Sequence, residues 1–309
     1  MQNPYPSSDE SFYMNPSDLP HSDVTGTIAH LFVYPVKSCA GIEMQAARLT
    51  ETGLEWDRAW MVVDSQGQFV TQRELPRMAL IQPALMATEL ELRAPDMPVL
   101  AVQFDAVGPL VTVQIWDDHV PAHDMGDQVA EWFSQFLSDD ANSTRYRLVR
   151  FDVAHRRLAD QKWTDGVTAL NQFCDGFPLL VISEASLTGL NQRLHDIGHD
   201  AVSMARFRPN LVLAGLDAHD EDCVAHIRVN AEPAWVSLKP VKPCPRCPIP
   251  NIDPATAVSS PEVGDTLQGY RQDARLNGAV TFGMNCILLE GIGSVLRVGQ
   301  AVSAEIDFG

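Results

Sequence analysis

Basic residues are scarce in this sequence. Lys and Arg number 22 against 40 Asp and Glu, a formal charge of −18. A duplex-binding surface needs clustered cations to neutralise phosphates, so neither nucleic acid nor a membrane surface is expected as a partner. Long apolar runs are missing too. Nothing reaches the roughly 18 apolar residues of a membrane span. Met1 to Asp23 lack the basic and apolar regions of a signal peptide. Rich in Ser, Pro, Asn and Asp, residues 1–23 are expected to be a disordered tail and the protein cytoplasmic. Cysteines are few for 309 residues. Cys39, Cys174, Cys223, Cys244, Cys247 and Cys286 are mostly isolated, which fits reduced thiols better than a disulfide framework. Gly291-Ile292-Gly293 lacks the third glycine and following helix of a dinucleotide site. His195 and His199 lack the glutamate of a helical zinc motif, and Val181 to Ala185 do not form a hydrolase elbow.

What is present is a succession of short strand-like runs. Thr25 to Val36 alternates loosely, and Ala59–Val63 and Gln68–Gln72 flank an Asp64-Ser65-Gln66-Gly67 turn. Thr88–Leu92, Leu100–Phe104 and Leu110–Ile115 follow, separated by Pro or Gly, which predicts a barrel-like β domain. The period then changes. Val129, Trp132, Phe133, Phe136 and Leu137 recur at helical spacing, with Asp124 or Asp127 as the expected cap. A second helix is expected to start at Ser183, with Leu187, Leu190 and Leu194 on one face. Strands resume at Leu211–Ala214, Val224–Val229, Ala279–Leu289 and Ser294–Ile306. The polar stretch Ser138 to Thr144 is the expected boundary. The fold class is therefore α+β and β-rich, with a few helices in two lobes, the first barrel-like, divided as 24–143 and 144–309.

Cys244-Pro245-Arg246-Cys247 is the sharpest chemical signal. Structural zinc wants four ligands, and no second pair is present. A thioredoxin-like redox pair belongs at a helix start, but Pro240, Pro243, Pro245, Pro248 and Pro250 forbid a regular helix. Two inert thiols are the ordinary reading of an arbitrary CxxC. The fourth reading is a soft-metal ligand on a proline-stiffened loop, with Arg246 as the cationic neighbour a thiolate favours. The residues alone leave the choice open. In the same way Lys37 and Arg58 taken singly read as solvated strand ends, Arg208 as half an ion pair, and Asp175 as a turn residue.

Taken together, five segments resemble the MOSC-domain family, and within it the amidoxime-reducing component and bacterial homologues with an N-terminal β-barrel domain. These are Tyr34-Pro35-Val36-Lys37-Ser38-Cys39 with Gly41, and Asp57-Arg58-Ala59-Trp60 with Val70-Thr71-Gln72-Arg73. Phe207-Arg208-Pro209-Asn210, Cys244 to Thr256, and Phe282-Gly283-Met284-Asn285 with Val298 to Val302 complete the set. The resemblance implies an N-terminal barrel domain followed by a MOSC barrel domain, and a molybdenum–molybdopterin cofactor ligated by cysteine. Cys247 falls where the family places its metal ligand, with Cys244 structural. Lys37, Ser38 and Arg58 fall at the phosphate, and Arg208 and Asn210 at the pterin. Asp175, Gly176 and Phe177 form the loop beside the metal, and Pro245, Arg246 and Asn285 complete the cofactor-binding set. Cys247 and Asp175 are the implied catalytic residues.

The implied reaction is reduction of small N-hydroxylated compounds, with electrons from a separate ferredoxin-like or flavin-containing protein. Pro245 stands where relatives often carry a small hydroxyl residue, Asn285 where some carry an aromatic, and Ala257 where Gly is common. A ferredoxin domain and a membrane anchor, which some relatives add, are not expected. A cofactor carrier, persulfide chemistry on Cys247 and a metal-free scaffold are the competing readings.

Overall fold

The computed structural model describes residues 23–138 and 144–307. The expected tail and the middle of the expected boundary stretch lie outside the described residues. The chain opens with β1 (Val24–Val33), β2 (Ile42–Met44), β3 (Ala46–Thr50), β4 (Gly53–Leu54) and β5 (Trp60–Val63). Next come β6 (Gln82–Leu85), β7 (Glu89–Arg93), β8 (Leu100–Gln103), β9 (Leu110–Ile115), β10 (Asp118–Asp124) and helix α1 (Asp127–Leu137). Then follow β11 (Arg147–Phe151), β12 (Leu179–Ser183), α2 (Glu184–Asp196), β13 (Leu211–Ala214), β14 (Val224–Val229) and β15 (Val236–Pro245). The chain finishes with α3 (Glu262–Gln268), β16 (Gln272–Asp273), β17 (Ala279–Glu290), β18 (Val295–Arg297) and β19 (Ala301–Ile306).

Seven strands close into a barrel in the order β12-β13-β1-β19-β14-β15-β17, with β17 returning to β12. Only β12 and β13 run parallel. Parallel neighbours need a crossover, and α2 supplies it. Period-2 alternation sends Leu179, Val181, Leu211, Leu213, Met284 and Cys286 inward to one apolar core. Leu180 and Ile182 point the other way, onto Phe207, Phe282, Leu190 and Leu194.

A four-stranded sheet, β5-β11-β10-β9, and a three-stranded sheet, β6-β7-β8, make up the other half. Helix α1 lays Trp132, Phe133 and Phe136 on a core that also holds Trp60, Val62, Leu90 and Leu92. No single cut along the chain separates these sheets from the barrel. β1 is a barrel stave between β13 and β19, and β5 pairs with β11 across position 143/144. Helix α1 starts at Gly126 without a side-chain cap, and Asp124 accepts from the Gly126 N–H instead. Ser183 does cap α2, accepting from the Ser186 N–H. Among the described residues no helix is long and apolar enough to cross a membrane.

Candidate functional site

Besides the β4–β5 connection that carries Asp57 and Arg58, four segments converge at one place. They are the stretch after β1, the loops before β12 and β13, and the end of β15. Tyr34 lies at their centre, 1% exposed. The Arg58 guanidinium lies 4.4 Å from its ring centre and that of Arg208 4.3 Å. An aromatic face attracts cations, so one ring holds two like charges that would otherwise repel. Arg58 donates to Asp57 at 2.5 Å, to Asn210 Oδ1 at 3.2 Å and to the Arg208 carbonyl at 3.1 Å. Arg208 donates to the Cys39 carbonyl at 2.6 Å. Arg246 reaches the Phe207 carbonyl at 2.9 Å, which brings the cysteine loop to the same place.

Lys37 closes the other side. Its Nζ, almost fully buried, donates to the Phe173 carbonyl at 2.9 Å and to Asp175 Oδ1 at 2.6 Å. The Trp116 indole N–H donates to that same oxygen at 3.0 Å. The backbone reflects the demands of this assembly. Ser38, Arg58 and Arg208 all take positive φ, at 66°, 50° and 58°. Side-chain-bearing residues rarely adopt that region, and such strain clusters at functional sites.

The cluster is rich in cations. Lys37, Arg58, Arg208 and Arg246 bring four cations, and Asp57 and Asp175 return two charges. Burial lowers Lys37 from its ordinary value, and Asp175 opposes the shift. Burial, followed by the charge of Arg58, brings Arg208 down to about 10. Burial also pushes the Tyr34 hydroxyl up to about 12, against the pull of the two arginines. Desolvation against the pocket wall raises Asp175, but the charge and hydrogen bond of Lys37 overcome it and hold the carboxyl well below the usual carboxylate range. Its outer side stays open, 71% exposed. Two buried polar atoms, Tyr34 Oη and Arg246 Nε, find no partner among the described residues. A cluster of half-buried cations beside unpartnered polar atoms is chemically suited to an anionic, polar-edged group.

Not every residue expected at the site lies there in the expected way. Arg246 does not serve as the neighbour of Cys247. Its Nη1 lies 3.1 Å from Cys244 Sγ, and Cys244 packs against the Phe207–Phe282 cluster. Cys247, three residues beyond Cys244, is exposed. Asn210 is 1% exposed and spent on structure, joining Arg58, the Leu180 N–H and the Phe32 carbonyl. Ser38 is buried, and its carbonyl accepts from Gln72 Nε2 at 2.6 Å. Asn285 pairs with both Leu180 of β12 and Lys242 of β15. Phe177 is buried, with the Lys242 ammonium 5.9 Å from its ring. A Cβ added at Gly176 would meet open space, and Pro245 is exposed on the last rung of β15. Sequence reasoning gave no role to Tyr34, Asp57 or Trp116. Tyr34 and Asp57 fall inside the quoted motifs, so proximity to Lys37 and Arg58 was their only signal.

Among the described residues no group of three or more His, Cys, Asp or Glu side chains is placed to hold a metal.

Two family descriptions match the chain. "MOSC N-terminal beta barrel domain" covers residues 25–140 and "MOSC domain" residues 169–303. Mitochondrial amidoxime reducing component 2 of Rattus norvegicus is 33% identical over 91% of this chain and 84% of its own length. The Homo sapiens component 2 is 35% identical over 80% of this chain and 72% of its own length. Mitochondrial amidoxime-reducing component 1 of Homo sapiens is 33% identical, covering 90% and 82%. This chain belongs to the MOSC-domain family, in the group that carries a MOSC N-terminal β-barrel domain and includes the amidoxime-reducing components.

Proposed function

We propose that this protein is a molybdenum-cofactor-dependent oxidoreductase that reduces N-hydroxylated small molecules with electrons from a separate protein. Amidoximes, hydroxylamines and N-hydroxylated base analogues are the substrate class. The observation that carries this reading is the cluster around Tyr34, where one buried and three half-buried cations face two carboxylates and two buried polar atoms lack partners among the described residues. A phosphate-bearing pterin matches that chemistry, and relatives named as amidoxime-reducing components match the reaction.

In this reading Lys37, Ser38 and Arg58 hold the phosphate, since a buried phosphate needs cations and hydroxyl donors. Arg208 and Arg246 face the pterin, with Asn210 bracing Arg58 beneath it. Cys247 offers a thiolate to the metal, a ligand type suited to a soft, redox-active ion. When bound, the cofactor supplies the two-electron chemistry that side chains lack. The balance is one N–O bond broken, two electrons and two protons taken up, one N–H formed and one water released. A carboxyl held well below its usual range is a poor proton donor. Asp175 therefore serves as an acceptor that orients the substrate, and solvent supplies the protons.

The test is electron supply. Purified enzyme should reduce benzamidoxime with reduced viologen, or with a matching ferredoxin-like or flavin-containing reductase. With NADH or NADPH alone it should not, because the sequence carries no nicotinamide or flavin fingerprint. Turnover on NADPH without added protein would contradict this account. The exposure of Cys247 also suits a protein that hands its cofactor on. A carrier of that kind would retain pterin yet stay inactive with viologen.

A further inference from the structure

The β9–β10 turn has two residues, Trp116 and Asp117, because Ile115 pairs with Asp118. Trp116, the first of them, has φ 53°, where tight hairpin turns use glycine, asparagine or aspartate. A large indole runs against that local preference, and this one is 41% exposed. What it gains in return is contact with the pocket. Its N–H binds Asp175 Oδ1, the Arg73 guanidinium lies 4.6 Å from its ring centre, and Phe69 packs at 5.1 Å.

Arg157 fixes this arrangement from below. It is 6% exposed and donates to Asp118 at the foot of the hairpin at 2.8 Å. The same guanidinium donates to Asn171 Oδ1, to the Gln172 carbonyl and to the Cys174 carbonyl, at 2.6, 2.8 and 2.7 Å. The hairpin that carries Trp116 and the loop that carries Asp175 therefore hang from one side chain. Asp175 Oδ1 takes both Lys37 and Trp116, and Oδ2 takes neither. Beside the cation cluster, the exposed part of the indole not covered by Arg73 and Phe69 thus lies next to a carboxylate that is 71% exposed. A planar N–C–N head with in-plane N–H donors and an aryl substituent fits both features. Its donors reach the carboxylate while its ring lies against the indole.

We infer that Trp116 is a specificity-determining residue that selects aryl-substituted amidine-type groups over small aliphatic ones, with Asp175 Oδ2 receiving their N–H donors. The inference rests on the reductase reading for what the site does with such groups. The test is calorimetric titration of the cofactor-loaded protein with benzamidine and with acetamidine. Wild type should bind benzamidine at least about tenfold tighter. Trp116→Gly removes the ring and suits the left-handed backbone, so the protein should fold and the ratio should fall to about twofold or less. Acetamidine binding should change less than benzamidine binding in that variant, because it loses only the indole N–H to Asp175 and no ring contact. Trp116→Phe should recover most of the preference, and Asp175→Asn should weaken both ligands alike. A preference that survives Trp116→Gly, or a wild type that binds neither amidine, overturns the inference. Benzamidoxime turnover with reduced viologen on the same samples separates the two ideas. Selective binding without turnover sinks the reductase reading and leaves the recognition, and turnover without selectivity does the reverse.

Discussion

Tyr34 holds two guanidinium groups against its faces, and the surplus charge around it defines what each residue should do when removed. Lys37, Arg58 and Arg208 come from distant stretches of chain, so the pocket exists only in the folded state. Losing one charge-assisted contact to a bound phosphate or pterin should weaken binding by about 1.5–3 kcal/mol. Lys37→Ala, Arg58→Ala and Arg208→Ala should each purify with less pterin, read as fluorescence of the released oxidised cofactor. Full pterin content in all three would rule out the assigned grip. The cysteines should part company. Cys247→Ser removes the metal's thiolate and should abolish turnover. Cys244→Ser keeps an acceptor for Arg246, whose Nη1 lies 3.1 Å from the sulfur, and should retain most activity. Equal loss in both would instead favour a paired-cysteine site.

Element by element, the sequence was readable where one element answers to one local pattern. Leu110–Ile115, Leu211–Ala214 and Val224–Val229 form the strands expected from their short apolar runs. The helix carrying Trp132, Phe133 and Phe136 buries the face its spacing implies. What could not be read depends on distant partners. Val236–Pro245 is a barrel strand despite Pro240, Pro243 and Pro245, because register shifts against β17 absorb the missing N–H donors. The membership of β1 in the barrel follows from β13 and β19, far along the chain. In the site, motif residues were legible as types, but Arg246 turning to Cys244 and Asn210 being spent on the backbone were not. Side-chain direction is decided by packing.

Two small residues carry opposite predictions at this scale. A Cβ at Gly41 would sit 2.4 Å from Tyr34 Cε1. Gly41→Ala should therefore push the ring out of register with its arginines, costing about 1–3 kcal/mol and lowering pterin retention. Ala257 has φ 60°, a backbone region that favours glycine. Relief of that backbone, partly offset by the entropy of glycine, should make Ala257→Gly neutral or stabilising by up to about 1 kcal/mol. Thermal melts of the two variants check the difference in sign, and a destabilised Ala257→Gly would contradict it.

At the scale of the whole molecule, a formal charge of −18 surrounds a cluster of four cations and two carboxylates beside Tyr34. Electron carriers that are themselves acidic would be repelled at low salt, unless the rim of the pocket guides them. Turnover with an acidic ferredoxin-like donor should therefore rise with moderate salt if the body charge dominates, and fall if the rim does. Reduced viologen, a small cation, should not show the same rise. The central claim is that the Tyr34 pocket and Cys247 hold a molybdenum–pterin cofactor. The most direct measurement is molybdenum and released oxidised pterin in the purified protein, set against chain concentration. The account predicts both in equimolar amount with the chain, and loss of molybdenum in Cys247→Ser. Protein purified from cells that make the cofactor, folded but carrying neither metal nor pterin, would contradict it.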